Sequence, residues 1–319
     1  MRRLLLATAA LTLASCGSDG ANDRTDSAPT PVVTVPAPTP TPAPTPTPTP
    51  AVTAVAPFDQ LSATTLQTIT GGFTTQFSPP DEIGISPYGE GWPYQYDPTS
   101  KSVSVVTGPP SSAISFVASE IVSTAPAGTV RYVKGTGEQL NLTQPVAGGT
   151  ALRWTRFIDH TSSRSGLAMR YIAVTGVPTP IVQIPTTGSV TFGRTVVTGD
   201  AYLQFHGQVT TLDLSPSSLT ASIDYTTQQI SFRLSLIGRS SVGDNIPLVT
   251  LAGTTDFTGK ALKFSNASAT YANYASFLIA AALFGTSGAE AGGVFQYRGI
   301  TTPTEGTVLN LVGRLAAAN

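Results

Sequence analysis

The chain has 319 residues, of which only 11% are charged, and a formal net charge of −1. That balance, with no block of basic residues, excludes a nucleic-acid-binding surface, and a single cysteine excludes both an intrachain disulfide and a thiolate zinc site. Thirty glycines and 26 prolines in so lightly charged a sequence fit an all-β protein working outside the cytoplasm better than a helical cytosolic one.

Met1-Arg2-Arg3 and the apolar stretch Leu4 to Leu13 read as the basic and hydrophobic parts of a secretory signal, too short to span a bilayer as a mature helix. The stretch closes on Leu13-Ala14-Ser15-Cys16, with Gly17 next, and this resembles the lipobox of bacterial lipoproteins. The resemblance implies cleavage of residues 1–15 and acylation of Cys16, a membrane anchor of three acyl chains, which exceeds the two signals stable attachment requires. Gly17 in place of Asp implies sorting to the outer membrane. Residues 16–56 read as a lipidated, disordered linker, and within it Ala28 to Pro50 is nearly all Pro, Thr, Ala and Val. Alternating prolines can build neither ladder nor helix and favour polyproline II, so about 23 residues make a semi-rigid spacer of roughly 70 Å.

Phe58 to Leu66 has room for one or two helical turns. Beyond Gly71 the pattern is strands separated by Gly, Pro, Ser and Thr: Phe73–Phe77, Ser102–Thr107, Ala113–Ser123, Thr129–Val133, Ala151–Ile158 and Gly166–Thr175. The irregular piece between Ser78 and Ser100 carries Tyr88, Trp92, Tyr94 and Tyr96, which either pack on their own sheet or face a partner. Prolines at 178, 180 and 185 mark a boundary, giving a first β domain over 57–183 and a second over 184–319. In the second, Ile230, Phe232, Leu234 and Leu236 alternate with Gln229, Ser231, Arg233 and Ser235, and Leu219, Ala221 and Ile223 alternate with Thr220 and Ser222. Such period-two alternation means strands with one buried and one wet face. About nine such runs in this length predict a closed antiparallel barrel of about eight strands, among them Ser189–Val197, Tyr202–Leu214 and Ser276–Phe284. Arg, Gln and Asp at mid-strand heights exclude a lipid-facing band.

The densest glycine segment is Phe284-Gly285-Thr286-Ser287-Gly288-Ala289-Glu290-Ala291-Gly292-Gly293-Val294-Phe295. It reads as the hairpin between two late strands, with the Glu290 carboxylate capping free N–H groups of its own loop. It resembles the barrel signature F-G-P-x-A-x-E-x-G-G-x-F of surface lipoproteins similar to transferrin-binding protein B. Phe284, Gly285, Glu290, Gly292, Gly293 and Phe295 match, while Thr286 stands where Pro is usual and Gly288 where Ala is common, which implies a looser hairpin. The segment from Gly176 to Phe192 resembles that family's lead-in to the barrel, and Leu152 to Phe157 resembles a strand of its preceding handle domain. The resemblance implies a β-rich handle beside an eight-stranded antiparallel barrel on a lipid-anchored stalk, facing the cell surface or periplasm. It implies capture of a partner protein or solute, in the setting of iron, haem or metal acquisition, with a TonB-type receptor as the envelope partner, no cofactor and no catalysis.

Trp92, Tyr94, Tyr96, Arg153 and Arg156 are the candidate ligand contacts, although the arginines read first as solvated strand and loop charges. His160 reads as a surface loop residue and His206 as a hydrated side chain on the polar face of a strand; neither sits at catalytic or metal-ligand spacing. The alternatives to capture are a structural or adhesive envelope protein and, third, a lipid-modifying barrel enzyme.

Overall fold

The computed structural model describes residues 54–74, 82–105, 113–164, 167–256, 262–265, 268–269, 276–302 and 307–319, all within one compact unit, Ala51–Asn319. Cys16 and the Pro/Thr-rich spacer lie outside the described residues. The architecture is all-β. Among the described residues no helix is long and apolar enough to cross a membrane, which says nothing about strands.

The first half contains β1 (Thr64–Leu66), β2 (Thr68–Thr74), β3 (Glu82–Ser86), β4 (Tyr94–Asp97), β5 (Ser102–Val105), β6 (Ile114–Phe116), β7 (Thr129–Val133), β8 (Gln139–Thr143), β9 (Val146–Ala147), β10 (Thr150–Ala151), β11 (Thr155–Arg164) and β12 (Leu167–Gly176). A four-stranded sheet runs β1-β4-β5-β6 and a six-stranded sheet runs β3-β2-β12-β11-β8-β7, while β9 and β10 form a short ribbon. Phe58–Leu66 is not helical beyond one 3₁₀ turn, Phe58–Gln60, because Leu66 is already drawn into the four-stranded sheet.

The second half contains β13 (Ser189–Thr191), β14 (Arg194–Phe205), β15 (Gln208–Asp213), β16 (Ser218–Asp224), β17 (Gln229–Arg239), β18 (Asn245–Asp256), β19 (Leu262–Ser265), β20 (Ser268–Ala269), β21 (Ser276–Phe284), β22 (Glu290–Thr302) and β23 (Thr307–Ala318). All belong to one antiparallel sheet that curls. β23 joins β22 to β14, β15 touches β17 through Asp213 and Arg239, and β19 and β20 reach β21 and β18 respectively. Its inner face is filled with side chains, among them Leu219, Ile223, Phe232, Leu234, Leu251, Phe277, Phe295, Tyr297 and Leu311. The interior is therefore a packed core.

Three layers result. The four-stranded sheet packs on one face of the six-stranded sheet through Leu66, Tyr94, Val103, Phe116, Tyr132, Leu140, Ile158 and Ala173. The other face of the six-stranded sheet carries Ile69, Phe73, Phe157, Ile172 and Val174, and packs on the outside of the curled sheet through Ala280, Ala282, Phe284, Val294, Ala316 and Ala318. β21 is a continuous apolar run because it is buried on both faces, whereas β17 alternates because its outer face meets water.

Candidate functional site

Glu290 opens β22 opposite Phe284 on one side and Ala318 on the other, and is 3% exposed. Its carboxylate does not cap its own loop. Oε1 accepts a hydrogen bond from the backbone N–H of Arg153 at 2.6 Å, and Oε2 accepts from the N–H groups of Trp154 at 3.0 Å and Thr155 at 2.8 Å. Arg153 and Trp154 lead into β11 and Thr155 is its first residue, so three consecutive N–H groups converge where the chain enters its ladder, the kind of concavity that holds an anion. Three charge-assisted bonds offset the desolvation of a buried carboxylate. The expectation of a self-capped hairpin is corrected: the signature acid bonds one sheet to another.

The other signature residues serve the same contact. Gly285 has φ 78°, a region that favours glycine, and a Cβ there would lie 2.5 Å from the Trp154 ring. A Cβ on Gly292 would lie 2.6 Å from Val174 Cγ1, so a side chain there would wedge the two sheets apart. The carbonyl of Gly285 accepts the Thr179 hydroxyl at 2.8 Å, its N–H donates to the Val177 carbonyl at 2.8 Å, and Thr179 N–H donates to the Leu283 carbonyl at 3.1 Å. Thr286, at the position that departs from the family pattern, accepts the N–H of Val55 on Oγ1 at 2.9 Å, and Trp154 Nε1 donates to the Val55 carbonyl at 3.1 Å. A proline at 286 could not make the first of these bonds.

Four residues further along β11 from Thr155, at Asp159, a second device joins the same two sheets. Arg170 of β12 grips Asp159 of β11 through Nε at 2.9 Å and Nη2 at 2.6 Å, and reaches Asp200 of β14 through Nη1 at 2.6 Å. Arg314 of β23 donates to the Ile158 carbonyl at 2.8 Å and lies 3.7 Å from Asp159. Burial pushes the Asp159 carboxyl up, but the Arg170 hydrogen bonds and the nearby Arg314 and Arg170 charges outweigh it and hold the group below its ordinary range. Burial also lowers Arg314, against the attraction of Asp159.

The five candidate contacts divide. Tyr94, on β4, is fully buried between the four- and six-stranded sheets, and Arg156 is 4% exposed, its guanidinium spent on the carbonyls of Leu152 and Thr155, on Asp59 and on the Phe58 ring. Both are framework residues, and their placement corrects the expectation of ligand contact. Trp92 packs on Tyr171 with ring centroids 4.0 Å apart and Tyr96 on Phe58 at 5.3 Å, each keeping part of its surface. Arg153 is exposed, lying over the Trp154 ring. The structure does not gather the five into one pocket. His160 is fully buried in β11 among Tyr94, Phe116 and Tyr171, and so is not a surface loop residue. His206 is not on a strand face: with φ 47°, followed by Gly207 at 78°, it forms the tight turn between β14 and β15 and stacks on Phe205. Among the described residues no group of three His, Cys, Asp or Glu could hold a metal ion.

A cavity of about 400 Å³ opens beside the signature hairpin, lined by Gln67, Tyr88, Leu283 and the segment from Pro178 to Ile184. Burial pushes the Tyr88 hydroxyl up to about 12, so it stays a neutral donor or acceptor at the rim.

No family model matches this sequence, and no curated protein does either. Among solved structures, the chain is similar to a variant of transferrin binding protein B from Haemophilus parasuis Hp5, with 12% identity and a TM-score of 0.42 over 79% of this chain and 45% of that one. It is similar also to isotype 1 transferrin binding protein B from serogroup B Neisseria meningitidis, at 13% and 0.42 over 79% and 43%. A third is HpuA from Kingella denitrificans, solved in complex with human haemoglobin, at 12% and 0.36 over 85% and 91%. This chain spans under half the length of the two transferrin binding proteins.

Proposed function

We propose that this protein is a lipid-anchored envelope protein, exposed at the outer membrane, that captures a partner protein or solute through its β-rich lobe and performs no chemistry. The observation that carries the reading is the Glu290 carboxylate, which bonds three backbone N–H groups across the two sheets. With it, the six-stranded sheet and the curled sheet form one preorganised body, and a rigid body loses little entropy on presenting its loops to a partner. The lipobox-like Cys16 and the proline-rich spacer support a folded unit tethered outside the membrane. Partner classes that fit the resemblance are an iron, haem or metal carrier and a TonB-type receptor.

The chain beginning at Cys16, carrying Cys16→Ser, immobilised and exposed to host and envelope proteins, and titrated with haem and iron, is the test. Saturable binding of one of these is expected. Failure to bind any of them contradicts capture and favours a structural or adhesive envelope role. Anchoring is tested separately: Cys16→Ser should release the protein from the membrane fraction, and unchanged association would refute acylation at Cys16.

A further inference from the structure

Two exposed apolar side chains stand out at the end of the molecule where the N-terminal segment arrives. Val182 is 94% exposed and Ile181 57%, side by side on the 3₁₀ turn Ile181–Gln183. Pro178 and Pro180 precede this turn and Pro185 follows it, fixing φ at three positions, so the pair projects from a stiff segment. The segment is also held from below, because Thr179 donates both its N–H and its hydroxyl to carbonyls of the signature hairpin, Leu283 and Gly285. That same hairpin holds Val55 through Thr286, with Trp154 holding the Val55 carbonyl. The point at which 54 preceding residues join the folded unit, and the exposed pair, are therefore carried by one hairpin. The strand register puts this end opposite the turn at Phe205–Gln208: β14 begins at Arg194, paired with Ala318, and ends near Val308.

We propose that Ile181 and Val182 form a membrane-docking tip, which seats this end of the folded unit on the lipid surface that anchors the chain. The inference rests on the lipid-anchored reading above. Two aliphatic side chains alone give weak, reversible interfacial binding. On a protein already tethered to the same surface, the contact is intramolecular, and the tether raises its population above that of free binding. The occupant is a lipid surface because the N-terminal segment that arrives here carries the lipobox-like Cys16. Docking would turn the opposite end, with the half-exposed Phe205 and the exposed Val242, outward from the membrane.

The test supplies the anchor chemically, so it does not depend on acylation in the cell. The chain beginning at Cys16 is coupled through this sole cysteine to a maleimide-bearing lipid in vesicles of phosphatidylethanolamine and phosphatidylglycerol. Val182→Trp is compared with Val242→Trp, each corrected for the parent's Trp92 and Trp154 emission, with and without doxyl-labelled lipid. Blue-shifted emission and doxyl quenching confined to Val182→Trp are expected. Ile181→Ser combined with Val182→Ser should lower the docked-to-free ratio about tenfold, read as the distance from a dye on the unit to dyed lipid. Equal quenching at both sites, or none at either, overturns the proposal. So does a blue shift at Val182→Trp in the uncoupled protein without vesicles, which would mean the tip is covered by protein. Unchanged membrane association of Cys16→Ser in the cell would instead contradict the anchoring proposed above, while the vesicle result still decides the docking tip by itself.

Discussion

The curled sheet has two walls built on different rules. On β16 and β17, buried Leu219, Ile223, Ile230, Phe232 and Leu234 alternate with exposed Ser218, Thr220, Gln229, Ser231 and Arg233, so the outer face meets water and accepts any polar side chain. On β21, β22 and β23 both faces are covered, the inner by the core and the outer by the six-stranded sheet, and beside Phe284 and Val294 the residues facing that sheet are small: Ala280, Ala282, Gly292, Ala316 and Ala318. Small residues let two sheets approach, and the one buried acid in the contact has its three donors waiting. The wet wall is specified by pattern alone, and the covered wall by pattern, volume and polar contacts made across the sheets by Glu290 and by Asp159 with its arginines.

The contrast sets the sizes of the expected effects. The largest belongs to Glu290→Ala, which leaves one buried and two part-buried N–H groups without their acceptor and should cost about 3–5 kcal/mol of stability, read as a fall in the denaturant midpoint. Gly292→Leu, which forces a side chain against Val174, Phe284 and Thr155, should cost about 1–3 kcal/mol by overpacking, checked the same way. Next comes the Arg170–Asp159–Arg314 cluster. Asp159 has a folded pKa below its unfolded value near 3.9. Its contribution is therefore fully present above the unfolded value and is lost as pH falls through the folded one. In Asp159→Asn, the drop in melting temperature between about pH 5 and pH 2 should become shallower, since no proton is taken up there. At the small end, Ser231→Val and Thr220→Val on the wet wall should change stability by no more than about 0.5 kcal/mol, measured by thermal melts. An effect on the wet wall as large as that of Gly292→Leu would erase the distinction.

Much of this was legible in the sequence, unevenly. β16 and β17 can be read residue by residue because one face is wet, and the apolar run Phe277–Phe284 falls within β21, Ser276–Phe284. A strand drawn unbroken across Phe205–Gln208 overlooks the signal in Gly207, which with His206 makes a two-residue turn. Gln139–Thr143, with Leu140 and Leu142 alternating, carries a strand pattern that was there to find. His160 was hidden because a histidine among Asp, Thr and Ser looks wet, yet on β11 it shares a face with Ile158 and is enclosed by rings from three other strands. For the site, the signature marked Glu290 as structural, but nothing local names acceptors' donors 135 to 137 residues away. Asp159, Arg170, Asp200 and Arg314 come together for the same reason, through sheet packing that no spacing announces. Val55 and Thr286 meet across 231 residues.

The central claim is that Glu290 fastens the chain leading into β11 to the curled sheet. Amide hydrogen exchange of Glu290→Ala against the parent, at a pH where both are folded, tests it at single residues. The account predicts that protection falls first and furthest at Arg153, Trp154 and Thr155. If protection at those three amides is unchanged while it falls at Thr286 to Ala289, the acid caps its own hairpin after all, and the account is wrong.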